Sequence, residues 1–265
     1  MQCTGRRCEA ASVSLYYGTL ETMPYDRGYT ISFGPPLTPK VKFLIIATSA
    51  AFALTYFPLQ IFGWAYPYAL FGLQPYAVTH DLFVWQLATY LFLHAGFFHI
   101  LFNLFALWMF GPDIEKLWGG KQFLFYYFFT GIGAALTDVA LGPNSAVMTI
   151  GCSGALFGLM LAYGMLFPDR PIYMYFLIPI KAKWFVMLMG IIEFVSLFGQ
   201  GGSGVSHVAH LGGLLFGYVY LLHRKGMSLN LHQRYDEWKQ ARRRRQFKVY
   251  RRKQDKRKDP DQWIN

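Results

Sequence analysis

Six apolar stretches, each near the length of a helix that crosses a bilayer, dominate the chain. A spanning helix needs about 20 mostly apolar residues, and the runs fall near 41–63, 86–110, 121–141, 150–167, 184–199 and 205–223. The last three are short or glycine-rich, so their ends are less sharply marked. The pattern predicts an all-α membrane protein: a six-helix bundle over 41–223 between two tails. Residues 1–40 read as a largely irregular N-terminal tail, with Gly34-Pro35-Pro36 as a linker signal. Residues 224–265 read as a basic, partly helical tail.

The placement of charge orients the bundle. Lys40, Lys42, Lys116, Arg170, Lys181, Lys183 and the C-terminal tail fall on one side. The connections over 64–85, 142–149 and 200–204 contain no Lys or Arg. Basic loops remain in the cytoplasm, so both termini are expected there, as an even helix count requires.

Composition agrees: 54% of the 265 residues are hydrophobic and 15% charged, where soluble domains carry about 25% charged residues. The net charge of +11 comes from the tail, since fifteen of the 25 Lys and Arg follow Leu222. Its run Arg242 to Arg245 suits contact with anionic lipid headgroups, although a solvated tail that helps set topology is the simpler reading. No nucleic-acid module accompanies the charge, and no nucleic-acid partner is expected. Cys3, Cys8 and Cys152 have neither disulfide-framework nor zinc-finger spacing. Acidic and basic residues interrupt the first 26 positions, so no signal peptide is expected there, and Met23 is an alternative start.

Polar groups inside a bilayer are expensive and mark function. The second apolar run carries His94, His99 and Asn103, and the fourth begins Gly151-Cys152-Ser153-Gly154. The sixth carries His207 and His210, then Gly213 and Gly217. His99 and Asn103 are four apart and share a helix face. Under the predicted topology these three runs enter from the same, outer side, so their polar groups can share one shallow plane. Gly213 and Gly217 lie on the face of His210, and Gly154 and Gly158 offer a matching small-residue pair for close helix approach. That approach would bring the His210 imidazole to the Ser153 hydroxyl, which needs a base to become a nucleophile. His99 and Asn103 would donate to an oxyanion, aided by the backbone N–H of Ser153 at a helix N-terminus. No Asp or Glu stands at a spacing that completes a triad, so a serine–histidine dyad is expected. Asp138 has no role in this reading, and Glu193 is expected to make a structural hydrogen bond. His94 is expected to support the site from behind, His207 to face water or pack, and Cys152 to act as a small residue. Glu115 and Lys116 are expected to stabilise the inner end of the second helix.

The stretches HAGFFHILFN (94–103), GCSG (151–154) and HVAHLGGLLFG (207–217) together resemble the rhomboid family. The resemblance covers roughly residues 41–223. It implies a rhomboid-like six-helix bundle and a serine-type endopeptidase that cuts transmembrane protein substrates within the bilayer. By resemblance, Ser153 and His210 would be the catalytic pair and His99 and Asn103 the oxyanion donors. Gly151, Gly154, His94, Gly213 and Gly217 would be supporting motif positions, and neither metal nor other cofactor is implied. Where the family often has Trp-Arg, the chain reads Trp85-Gln86, which puts the loop before the second helix in doubt. The competing readings are a non-catalytic relative that binds membrane proteins, and a membrane metalloenzyme using the histidines. A bacterial inner membrane is the expected location.

Overall fold

The computed structural model describes residues 35–174, 178–198 and 206–224. Expectations that fall on the tails, including the linker, the alternative start, Cys3, Cys8 and the Arg242 to Arg245 run, lie outside the described residues. Within them the chain is mostly helical. Three helices are long and apolar enough to cross a membrane: α1 (Pro39–Phe62), α5 (Phe97–Trp118) and α6 (Gly120–Leu141). Three shorter helices complete the bundle: α7 (Ser153–Leu166), α8 (Ala182–Ser196) and α9 (His207–His223). The 14 residues of α7 rise about 21 Å and the 17 of α9 about 26 Å, less than the roughly 30 Å hydrocarbon core.

The run expected as one helix over 86–110 is broken. A single turn, α4 (Gln86–Thr89), leads into a 3₁₀ turn (Tyr90–Phe92) and a non-helical stretch before α5 begins at Phe97. Apolar content continues unbroken through this region, so hydrophobicity conceals the break. The stretch ends at Gly96, the N-cap of α5, and the break sets His99 in the first turn of its helix.

The loop between α1 and α4 folds into two short helices, α2 (Tyr66–Phe71) and α3 (Pro75–His80). Gln86, fully buried, holds them together. Its Oε1 accepts from the Gln74 N–H at 2.9 Å, and its Nε2 donates to the Ala69 and Leu70 carbonyls at 3.2 and 3.3 Å. Trp85 Nε1 donates to the Leu70 carbonyl at 2.9 Å. A neutral amide, with both donors and acceptors, meets both kinds of backbone group, which a guanidinium lacks the acceptor to do. The loop left in doubt by Gln86 is held by it.

Helix α7 is the centre of the bundle, packed against α5, α6, α8 and α9, while α9 packs against both α6 and α7. Fully buried Phe123, Tyr126, Tyr127 and Leu159 fill the interior. An unpaired hydroxyl is costly in a dry interior, and two are paired with backbone: Tyr126 donates to the Gly158 carbonyl at 2.7 Å and Tyr90 to that of Gly131 at 2.8 Å. The outer faces are apolar. Phe43, Ile46, Leu54 and Ile61 on α1, and Trp184, Met187, Ile191 and Phe194 on α8, are exposed, as lipid contact requires and a water-facing surface of this extent does not.

At the end opposite Ser153 the bundle is tied by charge. Buried Glu115 accepts from the Thr38 hydroxyl and from the N–H groups of Lys40 and Val41, so it caps α1, where a helix N-terminus favours negative charge. The sequence pattern had pointed only to its own helix. Gly119, the single residue between α5 and α6, adopts a left-handed φ of 84°, a conformation glycine reaches without strain. A two-stranded hairpin, β1 (Pro171–Met174) with β2 (Ile178–Lys181), joins α7 to α8. Beside it, Lys183 donates to exposed Asp169 at 3.2 Å and holds that carboxyl below its usual range. Solvent screening leaves such surface pairs little effect on stability.

Candidate functional site

The N-terminal turns of α5, α7 and α9 converge. Ser153 is the first residue of α7 and His210 the fourth of α9. Their side chains meet: His210 Nε2 lies 2.6 Å from Ser153 Oγ. The backbones permit it because glycines face each other. A Cβ at Gly213 would collide with the Gly154 carbonyl oxygen, and one at Gly217 would lie 3.3 Å from the Gly158 Cα and 2.7 Å from the Tyr126 hydroxyl. The pairing of Gly154 and Gly158 with Gly213 and Gly217 is the one read from their spacing. Phe157, one turn below Ser153, stacks on the His210 ring at 4.4 Å.

The segment entering α7 is fixed from several directions. Leu73 and Thr149 form an antiparallel bridge, with N–H···O distances of 3.0 and 2.8 Å, and the Gly151 N–H donates to the Tyr90 carbonyl at 3.0 Å. Asp138 near the end of α6 accepts from Thr149 Oγ1 at 2.7 Å and from Ser206 Oγ at 2.9 Å. Ser206 in turn caps α9 by accepting from the Ala209 N–H. Asp138, given no role by the sequence pattern, joins the segment before Ser153 to the start of the helix carrying His210. Only the folded chain brings these together.

Gly151 has φ of 114°, which disfavours any side chain, and a Cβ there would stand 2.7 Å from His99 Nε2 and 3.6 Å from Asn103 Nδ2. Both polar groups therefore face the turn that delivers Ser153. The Ala95 N–H points at His99 Nδ1 at 3.4 Å, which leaves Nε2 as the protonated, donating nitrogen of a neutral ring. Asn103 Nδ2 is buried and has no hydrogen-bond partner among the described residues. An unpaired buried donor is a standing penalty of about 1–3 kcal/mol, of the kind retained where a bound group completes it. His94 is fully buried behind His99, its ring edge-on at 4.9 Å, with Nε2 3.8 Å from Cys152 Sγ.

The sequence pattern does not announce the role of Glu193. From α8 its Oε2 stands 2.6 Å from His207 Nδ1 and 3.0 Å from His210 Nδ1. The latter contact is close but off the N–H axis, since His210 Nδ1 has no aligned partner among the described residues. An acid therefore adjoins the imidazole that meets Ser153, although no local spacing signals it: Glu193 and His210 lie on different helices. His207 binds this acid rather than simply facing water. One donor atom each of Glu193, His207 and His210 lies within 4.8 Å of the others, a set chemically suited to a cation. The contacts themselves have hydrogen-bond lengths, shorter than the roughly 3.3 Å between neighbouring ligands of a tetrahedral zinc bonded at about 2.0–2.1 Å.

The rhomboid domain profile matches residues 82–225, a span that includes His94, His99, Asn103, Ser153, Glu193, His207 and His210. Among curated relatives, the chain is 30% identical over 139 residues to "Rhomboid protease GluP" of Bacillus subtilis, covering 51% of this chain and 25% of that protein. It is 32% identical over 156 residues to "Rhomboid-like protease 1" of Toxoplasma gondii, 55% of this chain and 49% of the relative. Over 205 residues it is 27% identical to "Rhomboid protein 1, mitochondrial" of Saccharomyces cerevisiae, 72% of this chain and 59% of the relative. The chain thus spans less than two thirds of each of these proteins. With a domain match over more than half its length and apolar helices of membrane-spanning size, the chain belongs to the rhomboid family of integral membrane proteins.

Proposed function

We propose that this chain is an intramembrane serine endopeptidase in which His210 takes the proton of Ser153 as the hydroxyl attacks a peptide carbonyl. The observation that carries the reading is the 2.6 Å contact between His210 Nε2 and Ser153 Oγ. Attack forms the Oγ–C bond and turns the carbonyl oxygen into an oxyanion, which His99 Nε2–H and Asn103 Nδ2–H face and stabilise. His210 then returns the proton to the leaving amine, and water, activated by the same imidazole, hydrolyses the acyl-enzyme. The substrate class is membrane proteins with a span whose outer end unwinds, because an extended peptide bond is needed at Ser153. Six spans with both ends cytoplasmic accommodate this chemistry near the outer surface, in keeping with the basic residues confined to one side. The membrane we favour is the bacterial inner membrane, although a relative carries a mitochondrial name.

The purified protein, reconstituted with a single-span substrate bearing small residues at the outer end of its span, is expected to release two fragments. A substrate that stays intact under conditions where the protein is folded contradicts the reading. In the same assay Asn103→Ala is expected to lower kcat by about 10²–10³, the loss typical of one oxyanion donor. An unchanged kcat removes Asn103 from the site.

A further inference from the structure

We infer that Glu193 is a positioning residue for His210, a carboxylate that holds the base in its working tautomer and makes the site a serine–histidine–glutamate triad. The inference rests on the Ser153–His210 reading above. An ionised carboxylate only accepts hydrogen bonds, so Glu193 Oε2 takes the His207 Nδ1 proton in a hydrogen bond at 2.6 Å and, standing 3.0 Å from His210 Nδ1 though off its N–H axis, favours a proton there too. In a neutral His210 ring, Nε2 then carries the lone pair and faces Ser153 Oγ at 2.6 Å, which is the tautomer a base requires. When the serine proton moves to Nε2, the ring becomes a cation with the carboxylate beside it, and stabilising that cation lowers the barrier.

His207 completes the arrangement from the other side. Its shorter contact holds the carboxylate, whose side chain is only 12% exposed, towards the two imidazoles rather than towards solvent. The bland alternative is a tether. Only Ala182 and Val186 of α8 are buried, and a hydrogen bond from Glu193 to His207 alone would hold the far end of that helix against α9. A tether acts on stability and substrate binding, whereas a positioning carboxylate acts on the chemical step.

The test compares wild type, Glu193→Gln and Glu193→Asp in proteoliposomes, with kcat, KM and thermal stability measured for each. In soluble serine proteases, neutralising the corresponding carboxylate while keeping its shape lowers kcat about 10⁴-fold. Glu193 is shared with His207 and lies off the His210 N–H axis, so the expected loss for Glu193→Gln is roughly 10–10²-fold in kcat. KM should stay within about twofold, with Glu193→Asp intermediate between Gln and wild type. Wild-type kcat in Glu193→Gln, an effect on KM alone, or an Asp variant no better than Gln overturns the inference. The histidine tautomer, read from ¹⁵N shifts of the unsubstituted protein, tests the same claim without relying on a variant that folds. Proton occupancy at His210 Nδ1 is expected, and a ring protonated at Nε2 alone overturns it. Loss of all cleavage in the wild type, or cleavage that survives Ser153→Ala, refutes the protease reading instead and is thereby distinguishable.

Discussion

Ser153→Ala is expected to abolish cleavage of a reconstituted membrane substrate while leaving the protein folded. The change removes one oxygen from a helix N1 position, where alanine is well tolerated, and preserves the Cβ that packs there. What it removes is the hydroxyl oxygen that meets His210 Nε2 in a hydrogen bond. Removing the nucleophile of a serine protease lowers kcat by about 10⁶-fold, which places the variant below detection in a fragment assay. Thermal stability should change by no more than about 1.5 kcal/mol, the upper end of what a net hydrogen bond contributes. Fragments appearing at the wild-type rate would show that the chemistry lies elsewhere.

Gly213→Ala is expected to lower both rate and stability without touching a reacting group. The new methyl would overlap the Gly154 carbonyl oxygen, which belongs to rigid backbone rather than to a side chain that can swing aside. Relief of that overlap requires α9 to move away from α7. Overpacking of this kind costs about 1–3 kcal/mol or more, and the helices carry Ser153 and His210 with them. A shift of about 1 Å at a reacting pair lowers rate by about 10², so kcat should fall by at least about 10²-fold together with thermal stability. Gly190→Ala on α8 is the control, since a Cβ there meets nothing closer than 3.6 Å. Normal activity in Gly213→Ala would mean that the two helix backbones do not need this approach.

The parts of the site carried by local pattern are legible in the order of residues alone. Ser153 within GCSG, His210 followed by glycines, and His99 four residues before Asn103 each announce themselves by spacing along one helix. The bundle brings these segments to one end. What stays hidden depends on partners distant in sequence. Glu193 reaches His210 only because α8 packs against α9, and Asp138 matters only through Thr149 and Ser206. Gln86 reads as a loss because the family often has arginine there, yet its value lies in accepting as well as donating. The break before Phe97 is concealed for a different reason. Hydropathy reports what a segment is soluble in, and a non-helical turn buried against Tyr68 and Cys152 is as apolar as the helix it interrupts.

The central claim is that the Ser153 hydroxyl is activated by the imidazole beside it. A fluorophosphonate probe reads this directly, since it phosphonylates an activated serine and spares an ordinary one. Incubated in liposomes, the wild-type protein is expected to take up one probe per chain at Ser153, with Ser153→Ala unlabelled and His210→Ala labelled only slowly. Undiminished labelling of Ser153→Ala, or equal labelling with and without His210, would contradict the account.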